Sequence, residues 1–333
     1  MDSYRWLSLA DSGLATLVRA TDTGMTVWRK AAGKPWSPPV AVVSGSGDVA
    51  SDHVGDVAIY SGNQHVYLSR AGGRFVDLGI AVTSTPALPR IDFRGVTVAA
   101  SGDVVVAWTN WQCRDPNRAH CASVSAGQSY GARLASGTTR WDVKPIGPPS
   151  TALPQYKVYL DDSGRAAVVA YSNWTSELSG YHQLAGSQPW TASATTFVDG
   201  FLADTIAVDG AGRFTALISN NNTNANVLWA GSVTGTPWTQ QHVVPSPAYR
   251  GFRLAVSPAG SAVLSWTDAY TDGTYKLTAI TRPAATPTWS APQVITSATS
   301  DGLVFMSGAS SNGSALTISS IGSPGLIGSV YQP

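Results

Sequence analysis

Charged side chains recur seven to twelve residues before a glycine that belongs to a short polar turn. An arginine at such a position can bind a carboxylate through two parallel hydrogen bonds, because its guanidinium group is planar. We expect the aspartates of the set to be the only counter-charges near these cations. The predicted ligand-binding members are Arg5, Asp48, Arg94, Lys157, Asp204, Arg250, Arg253 and Asp301.

Polar side chains next to an aromatic ring form a second recurring group. Asn110-Trp111, Asn173-Trp174 and Asp268-Ala269-Tyr270 each follow a very apolar run. In sugar sites a polar side chain pairs with hydroxyl groups while an aromatic ring stacks on the C–H face of the sugar. We therefore add Trp111, Trp174 and Tyr270 to the candidate binding residues. The alternative is that these segments cap loops and pack on a neighbouring repeat.

Few groups in the chain are suited to acid–base chemistry. Glu177 is the only glutamate, and Tyr181 and His182 follow it in a segment that we expect to be a loop. Such groups could act as a general acid or base, or could support a tyrosine nucleophile. The alternative is a solvated loop. The catalytic candidates are Glu177, Tyr181, His182, Tyr156 and Tyr249.

Both cysteines, Cys113 and Cys121, lie in the longest expected loop, over residues 109–129. In an exported protein two cysteines this close predict a disulfide. A metal site that includes His120 and a reactive thiol are the alternatives. Two sulfurs and one imidazole fall short of a structural zinc set, so we predict no metal and no cofactor.

A repeat with intervals of 42 to 62 residues positions these groups. Each repeat contains an alternating run, a polar turn that ends in glycine, and a second, very apolar run. An aromatic-led segment such as TRWDV or PTWSAPQV follows. Four short antiparallel strands are the pattern of one propeller blade, and a blade buries its faces only against its neighbours. The turn glycines are Gly13, Gly55, Gly102, Gly164, Gly212, Gly260 and Gly313.

The sequence therefore predicts an all-β fold, a seven-bladed β-propeller of four-stranded antiparallel blades. The seventh repeat lacks an aromatic-led fourth strand, so the ring closes on a three-stranded blade unless the sequence is a shortened form. The single domain 1–333 divides into blades over residues 4–45, 46–85, 90–150, 155–198, 201–246, 249–297 and 300–333. The aromatic residues that begin the fourth strands recur too regularly for ligand stacking and are expected to pack between blades; they are Trp36, Phe75, Trp141, Trp190, Trp238 and Trp289.

Two segments carry a resemblance to a known family. AVSPAGSAVLSWT followed by TWSAPQVI resembles the degenerate sialidase-type repeats of secreted bacterial propellers. VWRKAAGKPWSPPV is similar to the Asp-box pattern S-x-D-x-G-x-x-W, with its serine and aspartate lost. No repeat keeps an intact Asp box and the arginine pattern of a sialidase active site is missing, so sialidase activity is not implied. The resemblance, which covers nearly the whole chain, implies a secreted protein concerned with glycans.

The composition limits the classes of partner. The net charge is +1 and only 12% of residues are charged, so nothing attracts the protein in bulk to nucleic acid. No apolar run approaches the length of a membrane span, and we expect no membrane insertion. No signal peptide is visible. The low charge and the paired cysteines nevertheless favour a secreted or periplasmic protein.

The topology of a blade separates the molecule into two faces. The turn glycines lie on one, the turn face, and the loops between second and third strands emerge on the other, the loop face. Charged residues that enter the innermost strands from the loop face converge near the central channel, where the alternative is that they are simply solvated. Because the loops differ between repeats, we expect one composite site. It would bind a carbohydrate, an acidic one; the alternatives are a glycoside hydrolase or polysaccharide lyase on the same face, and a protein-interaction scaffold.

Overall fold

The computed structural model describes residues 3–21, 23–45, 47–115, 124–150, 155–172, 177–183, 188–197, 201–209, 212–220, 225–232, 239–244, 249–257, 259–269, 274–284, 286–298, 303–309, 315–321 and 326–331. Strands are the only regular elements in these ranges, and none contains a helix that could span a membrane. This outcome follows from a sequence rich in β-branched and aromatic residues, which favour pleated strands.

Three four-stranded sheets come first along the chain. Blade 1 consists of β1 (Ser3–Leu9), β2 (Ala15–Ala20), β3 (Gly24–Lys30) and β4 (Val40–Ser44). Blade 2 consists of β5 (Gly47–Ser51), β6 (Val57–Ser61), β7 (His65–Ser69) and β8 (Phe75–Ile80). Blade 3 consists of β9 (Arg90–Val98), β10 (Val104–Cys113), β11 (Val124–Leu134) and β12 (Asp142–Ser150).

Three more sheets repeat this order. Blade 4 consists of β13 (Gln155–Leu160), β14 (Ala166–Ser172), β15 (Glu177–Gln183) and β16 (Thr191–Phe197). Blade 5 consists of β17 (Phe201–Val208), β18 (Arg213–Asn220), β19 (Ala225–Ser232) and β20 (Thr239–Val244). Blade 6 consists of β21 (Tyr249–Val256), β22 (Ala262–Ala269), β23 (Tyr275–Arg282) and β24 (Gln293–Ala298).

The last sheet has only three strands, β25 (Leu303–Ala309), β26 (Ala315–Ile321) and β27 (Leu326–Tyr331). The first, inner strands of neighbouring sheets contact each other from β5 to β25, and β25 also contacts β1. Blades 1 and 2 share a core cluster that includes Val18 and Val49, which closes the ring. The fold is thus an all-β propeller of four-stranded antiparallel blades. Within the described residues it contains six such blades, not seven, and the three-stranded sheet takes the remaining place.

The predicted turn glycines join the first and second strands of each blade. Six of them, from Gly13 to Gly260, have φ between 75° and 96°, a region that costs other residues energy. Asp161 and Asp209 close two of these turns, since their carboxylates accept the backbone N–H groups of Arg165 at 2.8 Å and Arg213 at 2.9 Å. These two aspartates are turn formers. Gly313 lies outside the described residues.

The aromatic residues before the fourth strands pack between blades. The indole N–H of Trp141 donates to the carbonyl oxygen of Leu78 in blade 2 at 3.2 Å. A Cβ added to Gly131 of blade 3 would lie 2.6 Å from Cζ2 of Trp190, so the indole requires a glycine beneath it. Trp289 is 6% exposed within a cluster shared by blades 5 and 6. The packing prediction is confirmed for these three; Trp238 lies outside the described part of the chain.

Candidate functional site

Three inner strands carry a charged residue at the same level of the channel. Counted from the turn face, Asp48 of β5, Lys157 of β13 and Arg253 of β21 each occupy the fourth pair with the second strand. All three side chains are exposed. They belong to blades 2, 4 and 6, so three of the inner strands carry a charge at this level.

Blade 3 has Gly95 at this level. A Cβ on Gly95 would lie 3.2 Å from Cγ2 of Val158 and 3.7 Å from Oδ2 of Asp48. Inner strands of three successive blades therefore approach one another here. The glycine leaves room for the Asp48 carboxylate beside blade 3.

The pairing register of several inner strands shifts at a predicted site residue. Pairing skips Arg5 between Tyr4 and Trp6, skips Arg94 in β9, and skips residues 203–205, which include Asp204. A fourth shift lies between Arg250 and Phe252. Bulges of this kind bend a strand and redirect side chains, and they are common beside functional sites. Arg5, Arg94 and Asp204 each lie eight residues before a turn glycine. Asp48, Lys157 and Arg253 each lie seven residues before one. This difference in spacing is the sequence signal that marks the register shifts.

Arg94 has a partner that sequence reasoning missed. Its Nη2 atom lies 2.5 Å from Oδ2 of Asp92, two residues earlier in β9, and the two side chains are 14% and 40% exposed. Asp48, Asp204 and Asp301 are therefore not the only counter-charges near the channel, and that expectation was wrong. The spacing of two along a strand is the clue that could have revealed the pair.

Two described polar members of the polar-aromatic clusters make structural hydrogen bonds. Asn110 is buried and donates from Nδ2 to the carbonyl oxygen of Thr83 at 2.9 Å. Asp268 is buried and accepts the indole N–H of Trp266 at 2.9 Å. These contacts fit the structural alternative for the polar members of the clusters.

Trp111 is half-buried at the loop-face end of β10. The guanidinium carbon of Arg90 lies 5.1 Å from the centroid of its ring, the geometry of a cation–π contact. An aromatic ring and a cation are thus held together at the rim of the channel. Trp174 and Tyr270 lie outside the described residues.

The structure corrects the expected position of the catalytic candidates. Glu177, Tyr181 and His182 lie in β15, paired residue by residue with β14, rather than in a loop. The sequence misled because β15 is rich in polar residues, which are also typical of a loop. Tyr181 packs in the core between blades 3 and 4, burial raises its pKa, and its hydroxyl lies against Gly147. His182 pairs with Ala167, close to the turn face.

Some predicted residues are placed only by their backbone or not at all. The side chains of Arg5, Asp204, Arg250, Tyr156, Tyr249 and Glu177 are not described, although each residue lies in a strand. Asp301 lies outside the described residues. Cys113 is the last residue of β10 and is 3% exposed. Cys121, like Asp301, lies outside the described residues, so the disulfide stays a prediction.

Contacts between turns cross the channel at the turn face. The backbone N–H of Asp11 in blade 1 donates to the carbonyl oxygen of His53 in blade 2 at 2.8 Å. Nδ1 of His53 lies 3.4 Å from Oδ2 of Asp162 in blade 4, and Asp162 also accepts the N–H of Ala100 in blade 3 at 2.9 Å. Turns of four blades are therefore joined here.

A groove of about 410 Å³ lies elsewhere, on the turn face between blades 2 and 3. Its walls include Leu68, Arg70, Val76, Leu134 and Thr138. None of the predicted binding residues lines it. The groove and the charged level of the channel are thus separate features.

Comparison with known proteins supports the fold and leaves the family open. No protein-family model and no curated protein sequence matches the chain. The Dos1 propeller aligns with 99% of this chain and 77% of its own, at 12% identity and a TM-score of 0.53. The SapL1 lectin in complex with alpha methyl fucoside aligns with 87% of this chain and 94% of its own, at 11% identity and a TM-score of 0.52. At these identities the likeness shows a β-propeller fold, and the sialidase-type repeat remains a resemblance.

Proposed function

We propose that the protein binds an acidic carbohydrate where its central channel opens on the loop face. The observation that carries this proposal is the single level at which Asp48, Lys157 and Arg253 are exposed on three inner strands. Lys157 and Arg253 suit an anionic ligand, since hydrogen bonds between oppositely charged groups are stronger than those between neutral groups. A sugar carboxylate supplies that anion, and its hydroxyl groups supply donors for Asp48.

The rim of the channel suits the rest of a sugar ring. Trp111 and Arg90 offer a flat apolar surface next to a cation at the loop-face end of blade 3. A planar guanidinium and an indole are common contacts for a carboxylated ring. A lectin of similar fold, SapL1, is known in complex with a fucoside, so sugar binding is compatible with this architecture.

Binding without catalysis is the function that we propose, because the described catalytic candidates lie on the third strand of blade 4 and not on the inner strands that carry the charged level. Tyr181 is used in packing between blades, and His182 is near the turn face. We further propose that the protein acts in a secreted or periplasmic location, supported by its low charge and by the two cysteines close together in one segment.

The test is a binding screen of acidic oligosaccharides that carry uronic or sialic acids, each matched with a neutral counterpart, measured by titration calorimetry. Arg253→Ala and Lys157→Ala should each weaken binding of the acidic sugar by roughly 10- to 150-fold, the loss of one hydrogen-bonded charge of about 1.5–3 kcal/mol. Binding should also weaken with salt.

Arg140→Ala is the matched control, because Arg140 is an exposed arginine on the turn-face side of blade 3. It should bind like the parent. No binding of any acidic sugar, or equal binding by all three variants, would refute the proposal.

A further inference from the structure

The groove on the turn face between blades 2 and 3 has walls that are mainly apolar. Leu68 and Leu78 belong to the third and fourth strands of blade 2, and Leu134 is the last residue of the third strand of blade 3. Val76 lies on the same side of β8 as Leu78, because residues two apart on a strand point to one side. Val76 is 59% exposed, so a large apolar side chain meets solvent within a concave surface.

One third-strand residue explains why the groove lies at this interface. Arg29, Leu68 and Arg133 occupy the same level in blades 1, 2 and 3, the second pair from the turn face. The two arginines donate to carbonyl oxygens of the next blade, Arg29 to Gly72 at 2.6 Å and Arg133 to Gly164. Leucine has no donor for such a contact, so the space beside Leu68 is not crossed by a guanidinium from this level.

Two arginines line the groove, and only one of them has its charge paired. Nε of Arg70 lies 2.7 Å from Oδ2 of buried Asp56, and its Nη atoms donate to the carbonyl oxygens of Ser101 and Ala100 at 3.0 and 3.2 Å. Arg74 is exposed, and its guanidinium has no ion pair or hydrogen bond with any of the described residues. One positive charge is therefore left over at the mouth of an apolar groove.

We infer that this groove binds a small monocarboxylic acid with an apolar body. The body lies against Leu68, Val76 and Leu134, where contact removes apolar surface from water. The carboxylate binds Arg74, whose planar guanidinium can form two parallel hydrogen bonds with it. The site is separate from the channel and does not depend on the proposed carbohydrate binding.

Size and charge both favour a small acid over a protein segment. A volume of about 410 Å³ with mainly apolar walls and a few polar groups is typical of a small-molecule site. A stable protein partner needs an interface of more than about 1,000 Å², for which a groove of this size is too small. One unpaired cation matches one carboxylate, and a sugar acid would leave the apolar walls without a matching surface.

The test is a calorimetric titration of the full chain with octanoate and with octanamide, its neutral counterpart of similar shape. Octanoate should bind saturably, with one molecule per protein. Octanamide should bind roughly tenfold more weakly, because it lacks the charge that Arg74 recognises. Absence of saturable octanoate binding, or equal affinity for the two compounds, would overturn the inference.

Four variants locate the bound acid. Arg74→Ala should weaken octanoate binding roughly tenfold and leave octanamide binding unchanged. Its control is Arg140→Ala, at an exposed arginine of blade 3 that does not line the groove. Val76→Asp should weaken octanoate binding at least tenfold, since the new carboxylate competes for Arg74. Its control is Val143→Asp, at a valine that is 42% exposed on the fourth strand of blade 3.

All four substituted side chains are exposed, so each variant should keep the melting temperature of the parent. Octanoate binding by Arg74→Ala that equals that of the parent, or an equal loss in a variant and its control, would rule out this site. Weaker octanoate binding in Lys157→Ala alone would place the acid in the channel and refute the inference. A dimer seen by size-exclusion chromatography that Val76→Asp dissociates would make a second copy the occupant and refute it as well.

Discussion

The turn face and the loop face use the same residue types in different ways. On the turn face, arginines in or directly after the third strands donate to backbone carbonyl oxygens in the turns of the next blade. Arg29 bonds to Gly72 and Gly73 at 2.6 and 2.8 Å, Arg70 to Ser101 and Ala100 at 3.0 and 3.2 Å, and Arg133 to Gly164 at 2.5 Å. Each of these arginines joins two blades.

On the loop face the cations are placed differently. Arg253 is exposed and donates to the carbonyl oxygen of its own neighbour, Phe252, at 2.7 Å, while Lys157 is exposed on β13. On the turn face, carbonyl oxygens of tight turns accept hydrogen bonds from arginines, so these arginines have a structural role. On the inner strands that line the channel, Arg253 and Lys157 are the side chains to which we assign ligand binding in the proposal above. Arg165 and Arg213 belong to the structural class, because each pairs with an aspartate that is buried.

Arg133→Ala should have the largest effect on stability. Arg133 is 8% exposed, forms an ion pair with Asp103 and bonds to the turn of blade 4. Its removal leaves the Asp103 carboxylate without its cation, which we expect to lower the free energy of unfolding by about 3–5 kcal/mol. Urea denaturation measures the change. Arg74→Ala, at an exposed turn-face arginine, should change it by less than about 0.5 kcal/mol. Equal midpoints for the two variants would contradict a structural role for Arg133.

A disulfide between Cys113 and Cys121 would stabilise the loop face by a covalent bond, whereas arginine hydrogen bonds stabilise the turn face. Closing so short a ring stabilises a protein by about 2.5 kcal/mol in the chain-entropy model. Peptide mapping without reductant should recover the two cysteines in one cross-linked fragment. Reduction should lower the urea midpoint of the parent and leave that of Cys121→Ser unchanged. Two unmodified thiols in material isolated from an oxidising compartment would instead favour a metal or thiol role.

The smallest expected effect is a dependence of the free energy of unfolding on pH, caused by Asp52 on the turn face. Burial, and then the negative charge of Asp56, raise the pKa of Asp52 to about 6 from its ordinary value of 3.8. Between these values the folded protein holds a proton that the unfolded chain has lost, so this group makes stability fall as pH rises from about 4 to about 6. Because Asp52 is partly exposed, we expect a contribution of only about 1 kcal/mol.

Asp52→Asn should remove this contribution, so the difference in urea midpoint between variant and parent should move in favour of the variant over that pH range. The same substitution at exposed Asp11, in the neighbouring turn, serves as the control. A difference that stays constant from pH 4 to pH 7 would contradict the raised pKa.

The periodic parts of the molecule could be predicted from sequence, because every blade must satisfy the same packing. The turn glycines and the aromatic anchors Trp141, Trp190 and Trp289 recur for this reason. The register shift at Arg94 was not foreseen, since it depends on how β9 pairs with β10. The site is less predictable than the fold because its residues are the ones that differ between repeats, as the Asp92–Arg94 pair illustrates.

The central claim is that ligand binds on the loop face, and hydrogen exchange with the tightest acidic sugar from the screen tests it most directly. Bound sugar should protect backbone amides around Arg94 in β9 and Arg253 in β21, and should leave the turns at Gly164 and Gly260 unchanged. Protection confined to those turns, or to the groove between Leu68 and Leu134, would contradict the claim and place the site on the turn face.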